Sequence, residues 1–119
     1  DNGRVLLCFF ATGCEKCKST LKSLDSLNSI YENNFPRIEI IFMEEEIERI
    51  PEFFEFSGNT YPYQILGIPT FYDVLRWDRD TPGVFYINNG NIITSYNGIN
   101  KHAFNVNNLE EIISKDGSR

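Results

Sequence analysis

The sequence predicts an α/β sandwich on three observations. An apolar run from Val5 to Phe10 leads directly into a helical apolar stripe. A second apolar run follows at Ile38 to Met43, and the last third of the chain reads as a β-hairpin and a helix. Strands covered on both faces carry apolar residues at consecutive positions, which is the pattern of both runs. With 119 residues, 41% hydrophobic and 24% charged, the chain can bury a core of its own, so one domain over residues 1–119 is expected.

Arg4 to Phe10 reads as a central strand. After Cys17, the residues Leu21, Leu24, Leu27, Ile30 and Tyr31 recur about every three positions between polar residues, one apolar stripe on a helix that begins near Cys14. Asn33, Asn34 and Pro36 stop that helix, and Ile38 to Met43 completes a strand, helix, strand unit. Glu44-Glu45-Glu46 ahead of Ile47, Ile50, Phe53 and Phe54 reads as a second helix whose acidic first turn suits the positive end of the helix dipole. Pro51 must kink this helix or open a new one at its own first turn. Tyr61 to Ile65 reads as a short strand and Phe71 to Trp77 as a short helix, with Trp77 and the nearby phenylalanines assigned to packing. Val84 to Ile87 and Ile92 to Tyr96 flank Asn88-Asn89-Gly90-Asn91, a hairpin whose Asn and Gly residues accept positive backbone angles. Leu109, Ile112 and Ile113 share one face of a terminal helix that Gly117 would end.

A formal charge of -6, with no cluster of Lys or Arg, argues against nucleic acid as a partner. No apolar run is long enough to span a bilayer. The chain opens almost directly on a strand, so it is expected to be a fragment of a longer chain, with a signal peptide or lipid anchor among the segments that would precede it.

Three cysteines are too few for a disulfide-built scaffold, and only Cys14 and Cys17 have a spacing that carries chemistry. A Cys-x-x-Cys that opens a helix places the first sulfur where the dipole and free amides favour thiolate over thiol. Cys14 is therefore the expected nucleophile, and Cys17, one turn further in, the resolving thiol. Zinc competes for the same motif, with Cys8 and His102 as further ligands, but Cys8 lies inside a core strand and reads as a small buried apolar residue. His102 reads as a loop histidine, and no metal site is expected.

The segment Val5 to Lys18, an apolar strand ending in Cys-x-x-Cys-Lys, resembles the active-site strand and helix of thioredoxin-like proteins. That family's second mark is a cis-proline facing the cysteines, for which Pro69 and Pro82 compete. Pro82 leads into the hairpin, with Gly90 eight residues on and Gly98 sixteen on, the spacing thioredoxins show, so it is the one chosen. The stretch from Met43 to Thr81 is longer than thioredoxin's own and resembles the extra segment of TlpA-like and cytochrome-maturation oxidoreductases of bacterial cell envelopes.

The resemblance implies a thioredoxin-like three-layer α/β/α sandwich with a mixed central sheet and a helical insert before the cis-Pro hairpin. It also implies a thiol-disulfide oxidoreductase that uses Cys14 and Cys17, binds substrate at Thr81 and Pro82, and needs no cofactor. Its partners would be protein thiols and disulfides and a redox protein that recycles the dithiol. Its place would be the periplasm or cell envelope, anchored through a removed N-terminal segment, with the cytoplasm as the alternative. Two positions depart from the family pattern. Gly13 stands where Trp usually precedes the nucleophile, and Cys8 stands where thioredoxin has a buried proton-transferring Asp, which makes Glu44 and Glu45 the candidate proton shuttles. These departures support the alternative of a non-catalytic thioredoxin-like binding module within a larger envelope protein.

Overall fold

A computed structural model describes residues 3–117. Its strands are β1 (Arg4–Phe10), β2 (Arg37–Met43), β3 (Tyr63–Leu66), β4 (Gly83–Asn88) and β5 (Asn91–Tyr96), and they form one sheet in the order β3-β2-β1-β4-β5. β1, β2 and β3 run parallel, whereas β4 is antiparallel to β1 and β5 to β4, so the sheet is mixed and β1 occupies its centre.

The period of two along the strands sorts their side chains into two layers. Leu6, Cys8 and Phe10 of β1, Ile38, Ile40 and Phe42 of β2, and Val84 and Tyr86 of β4 point to one face. There they meet α1 (Glu15–Tyr31), α2 (Ile50–Ser57) and α4 (Val106–Gly117), whose contributions include Leu21, Leu24, Phe53, Leu109 and Ile113. Phe9, Met43 and Phe85 point to the other face, where Phe71 and Leu75 of α3 (Ile68–Leu75) cover them. Edge-on contacts of Phe9 with Phe71 and with Phe85, at 5.5 and 5.6 Å between ring centroids, tie α3 to the middle of the sheet. Helices on both faces make this an α/β/α sandwich.

Four details differ from the sequence reading. Cys17, Thr20, Leu21, Leu24 and Leu27 form the buried stripe of α1, but Ile30 is 70% exposed. Each step of three residues turns the helix about 60° short of a full circle, so three such steps from Leu21 carry Ile30 to the opposite side. The acidic run does not open a helix. Glu46 takes a left-handed conformation (φ 49°), Ile47–Arg49 form a 3-10 turn, and α2 starts at Ile50 with Pro51 in its first turn, where a missing N–H costs nothing. α3 begins three residues earlier than expected, because Pro69 is likewise a first-turn residue. Trp77 lies past the end of α3, 65% exposed, stacked on Tyr72 at 5.1 Å and held by its Nε1–H donating to Asp73 Oδ1 at 2.7 Å.

The hairpin closes through Asn89 and Gly90, both with positive φ (51° and 84°), the conformation a two-residue type I′ turn requires. No helix among the described residues is long and apolar enough to cross a membrane.

Candidate active site

The end of β1, the first turn of α1, the loop after β2 and the segment before β4 converge at the C-terminal end of the central strands β1 and β2. Cys14 is the N-cap of α1, with an extended backbone (φ -91°, ψ 112°), and its sulfur accepts a hydrogen bond from the Cys17 amide at 3.1 Å. The same amide also donates to the Cys14 carbonyl at 3.1 Å, a shared bond of the kind found at helix starts. The Cys14 pKa is lowered from 9.0 to about 6, first by a hydrogen bond from the Cys17 side chain, then by the Cys17 amide, the Thr81 side chain and the Lys16 amide, against a partial desolvation that opposes them. Cys17 is fully buried, and desolvation, followed by its hydrogen bond to Cys14, pushes its thiol far up. The two cysteines thus differ in environment: the Cys14 sulfur is partly open and its pKa is lowered, whereas the Cys17 sulfur is buried and its pKa is raised.

Cys8 is buried in the middle of β1, where desolvation alone raises its thiol well above the ordinary range. Its Sγ is directed at the Leu6 carbonyl, 3.9 Å away, and it belongs to the core cluster. His102 sits in a 3-10 turn after β5, exposed.

The Thr81–Pro82 peptide bond is cis. Thr81 lines the same groove as Cys14, and its side chain is among the groups that lower the Cys14 pKa. Its amide donates to Asp80 Oδ1 at 2.8 Å, and the Tyr72 hydroxyl donates to the same oxygen at 2.8 Å. Gly98 fixes the other side of Thr81: its amide donates to the Asp80 carbonyl at 2.8 Å, and a Cβ at position 98 would collide with the Thr81 carbonyl oxygen.

Two depressions flank this centre. A groove of about 510 Å³ is lined by Gly13, Cys14, Glu45, Glu46, Tyr72 and Thr81, among others. A smaller pocket of about 190 Å³ lies beyond Pro82 and is lined by Lys16, Ser19, Ser23, Asn97, Gly98 and Phe104, among others. Of the two carboxylates singled out in the sequence, Glu45 lines the groove. Glu44 lies instead against Gly67, at the start of α3. Sequence reasoning passed over three residues that shape the site. Thr12 is buried and its hydroxyl reaches the carbonyls of Glu45 and Glu46 at 3.3 and 3.0 Å, binding the two loops together. Glu46 shares the groove, and so does Tyr72 of α3, which lies nearly sixty residues from Cys14. Only Thr12 carried a local signal, as a polar residue between the apolar strand and the motif.

Several solved structures share this architecture. A secreted disulfide oxidoreductase of Mycobacterium tuberculosis, homologous to E. coli DsbE, superposes with a TM-score of 0.76 at 12% identity, over 97% of this chain and 83% of that one. The fold is thioredoxin-like. A thioredoxin-family thiol:disulfide interchange protein of Chlorobium tepidum gives a TM-score of 0.73 at 17% identity, over 98% of this chain and 81% of that one. The thioredoxin domain of a Bacteroides vulgatus thiol-disulfide oxidoreductase gives 0.70 at 17% identity, over 94% and 80%. In sequence, this thioredoxin-like chain is 46% identical over 115 residues to protein TlpB of Flavobacterium psychrophilum. That match covers 97% of the chain but 31% of TlpB, so the chain spans about a third of the length of this curated relative. No protein-family model matches the sequence.

Proposed function

We propose that the chain is a thiol-disulfide oxidoreductase domain that exchanges disulfides with protein partners through Cys14 and Cys17. The observation that carries this reading is the opposed state of the two sulfurs: Cys14 is held at about 6 at a half-open helix start, and Cys17 is buried and protonated beside it. In the reducing direction the Cys14 thiolate attacks one sulfur of the partner's disulfide. A Cys14–partner S–S bond forms, the partner's own S–S bond breaks, and the released partner thiolate takes up a proton. Cys17 then loses its proton and attacks Cys14. The second partner thiolate leaves, and two electrons have moved from the dithiol to the partner. Oxidation of a partner dithiol runs the same steps backwards.

In this reading Glu45 receives the Cys17 proton, directly or through water, since it lines the groove that holds Cys14. Glu44, turned towards Gly67, is the weaker of the two proposed shuttles. The cis Thr81–Pro82 step is the docking edge, where an extended partner segment exchanges with Asp80 for the Thr81 amide. The α2, β3 and α3 segment is the insert that precedes the cis-Pro hairpin, and its Tyr72 forms a wall of the groove. Residues 1–119 act as one domain, supported by a single sheet that serves both core clusters. The M. tuberculosis protein of the same fold is described as secreted, which supports a place in the periplasm or cell envelope and a redox protein there that recycles the dithiol.

The test is a pair of substitutions assayed with a protein disulfide. Cys14→Ser is expected to abolish exchange, and Cys17→Ser to accumulate a mixed disulfide through Cys14. Undiminished turnover in Cys14→Ser would refute the proposal and leave a binding module.

A further inference from the structure

The ion pairs around Cys14 cancel in a particular way. Glu15 pairs with Lys18 at 3.3 Å, and Glu46 pairs with Arg49 at 3.3 Å, while Arg49 also reaches Glu52 at 3.2 Å. Two charges close to the nucleophile are left outside any ion pair among the described residues: Glu45, in the groove with Gly13 and Tyr72, and Lys16, in the pocket beyond Pro82. Asp80, which accepts from Tyr72 and from the Thr81 amide, adds a further anion on the groove side. Beside Lys16 the polar side chains that line the pocket are neutral: Ser19, whose hydroxyl donates to the Lys16 carbonyl at 3.1 Å, Thr20, Ser23 and Asn97. Cys14 and Thr81 lie between these surfaces of opposite sign, where the sulfur of a partner must sit to be attacked.

Resting on the exchange reading above, we infer that the partner segment this site takes is charge-asymmetric about its cysteine: a basic residue on the side that meets Glu45, and an acidic or hydroxyl-bearing residue on the side that meets Lys16. Gly13 adds no side chain of its own to the groove rim, where the paired ends of Glu46 and Arg49 lie 3.6 and 3.8 Å from the place a Cβ would take, so a long cationic residue can reach the Glu45 carboxylate. A segment laid in the reverse direction would bring like charges together on both sides, so the same contacts also fix its orientation.

The experiment uses the reduced chain and two short peptides of identical composition, each with its cysteine in a mixed disulfide with 5-thio-2-nitrobenzoate. One peptide has Lys before and Glu after the cysteine, and the other has the reverse order. Attack by Cys14 on the peptide sulfur forms the Cys14–peptide bond and expels the coloured thiolate, which gives the second-order rate directly. Because the net charges match, only the order of the charges separates the two. One order is expected to react about fivefold faster at low ionic strength, the size that exposed charge contacts supply. The difference should shrink towards unity in about 1 M salt, where the Debye length is about 3 Å. The double reversal Lys16→Glu with Glu45→Lys is expected to invert the preference. Equal rates for both peptides at low salt, or a preference that survives high salt, would overturn the inference while leaving the exchange chemistry intact. Release from neither peptide would refute the exchange reading and this inference with it.

Discussion

The low pKa of Cys14 depends first on its neighbour, so removal of the Cys17 thiol is the sharpest probe of the site. Cys17→Ala deletes the hydrogen bond that the buried thiol donates to the Cys14 sulfur but keeps the Cys17 amide, 3.1 Å from that sulfur, and leaves Thr81 and Lys16 in place. A hydrogen bond to a charged acceptor is worth about 1.5–3 kcal/mol, and about 1.4 kcal/mol corresponds to one pKa unit. With half of Cys14 open to water the lower end applies, so the midpoint is expected to move from about 6 to about 7. The assay is the rate of Cys14 carboxamidomethylation by iodoacetamide across pH, read by mass spectrometry of the modified chain. At pH 6 the thiolate fraction falls from about one half to about one tenth, so the variant should react about fivefold more slowly there. Above about pH 8 the variant should match or exceed the native chain, because a more basic thiolate is intrinsically more nucleophilic. A midpoint that stays at 6 or falls in Cys17→Ala would refute the coupling between the two sulfurs.

Other consequences follow from the same geometry. Gly98→Ala drives a methyl group into the Thr81 carbonyl and should cost about 1–3 kcal/mol by chemical denaturation, with a rise in the Cys14 midpoint as Thr81 shifts; unchanged stability would show that the close approach is not required. Leu27→Ala should cost about 2–5 kcal/mol, whereas Ile30→Ala, on the exposed side of the same helix, should stay within about 0.5 kcal/mol; comparable losses from the two would refute the stripe assignment. The stability of the reduced chain relative to Cys14→Ala should depend on pH. Folding lowers the Cys14 pKa from 9.0 to about 6, so the thiolate's contribution is fully present above the unfolded value and is lost as pH falls through about 6. Melting temperatures of the two proteins that differ equally at pH 5 and pH 9 would contradict this.

Much of the fold was legible in the chain because its signals are local. β1 ends where its apolar run ends, the turn at Asn89 and Gly90 is dictated by residues that tolerate positive φ, and Pro51 opens a helix at its first turn, one of the two roles its position allows. The misreadings have a shared cause. Ile30 is placed by a spacing of three and the acidic run Glu44 to Glu46 by its fit to a helix dipole, but a helix face is fixed by cumulative rotation, and a helix start is fixed by where the backbone first closes its hydrogen bonds. Trp77 shows a further limit, since nothing local to it indicates that its ring rests on Tyr72 outside the core.

The sequence by itself determined the dithiol, the strand that delivers it and the helix that starts on it, because Cys14, Cys17 and the run before them are adjacent in the chain. Only the tertiary structure decided what surrounds the sulfurs. Thr81, Tyr72, Glu45 and Thr12 come from four separate segments, and the parallel crossovers from β1 through β2 to β3, with β4 returning antiparallel, bring them to one end of the central strands. The burial that keeps Cys17 protonated is likewise a property of the packed core, since desolvation arises only when α1 closes on the sheet.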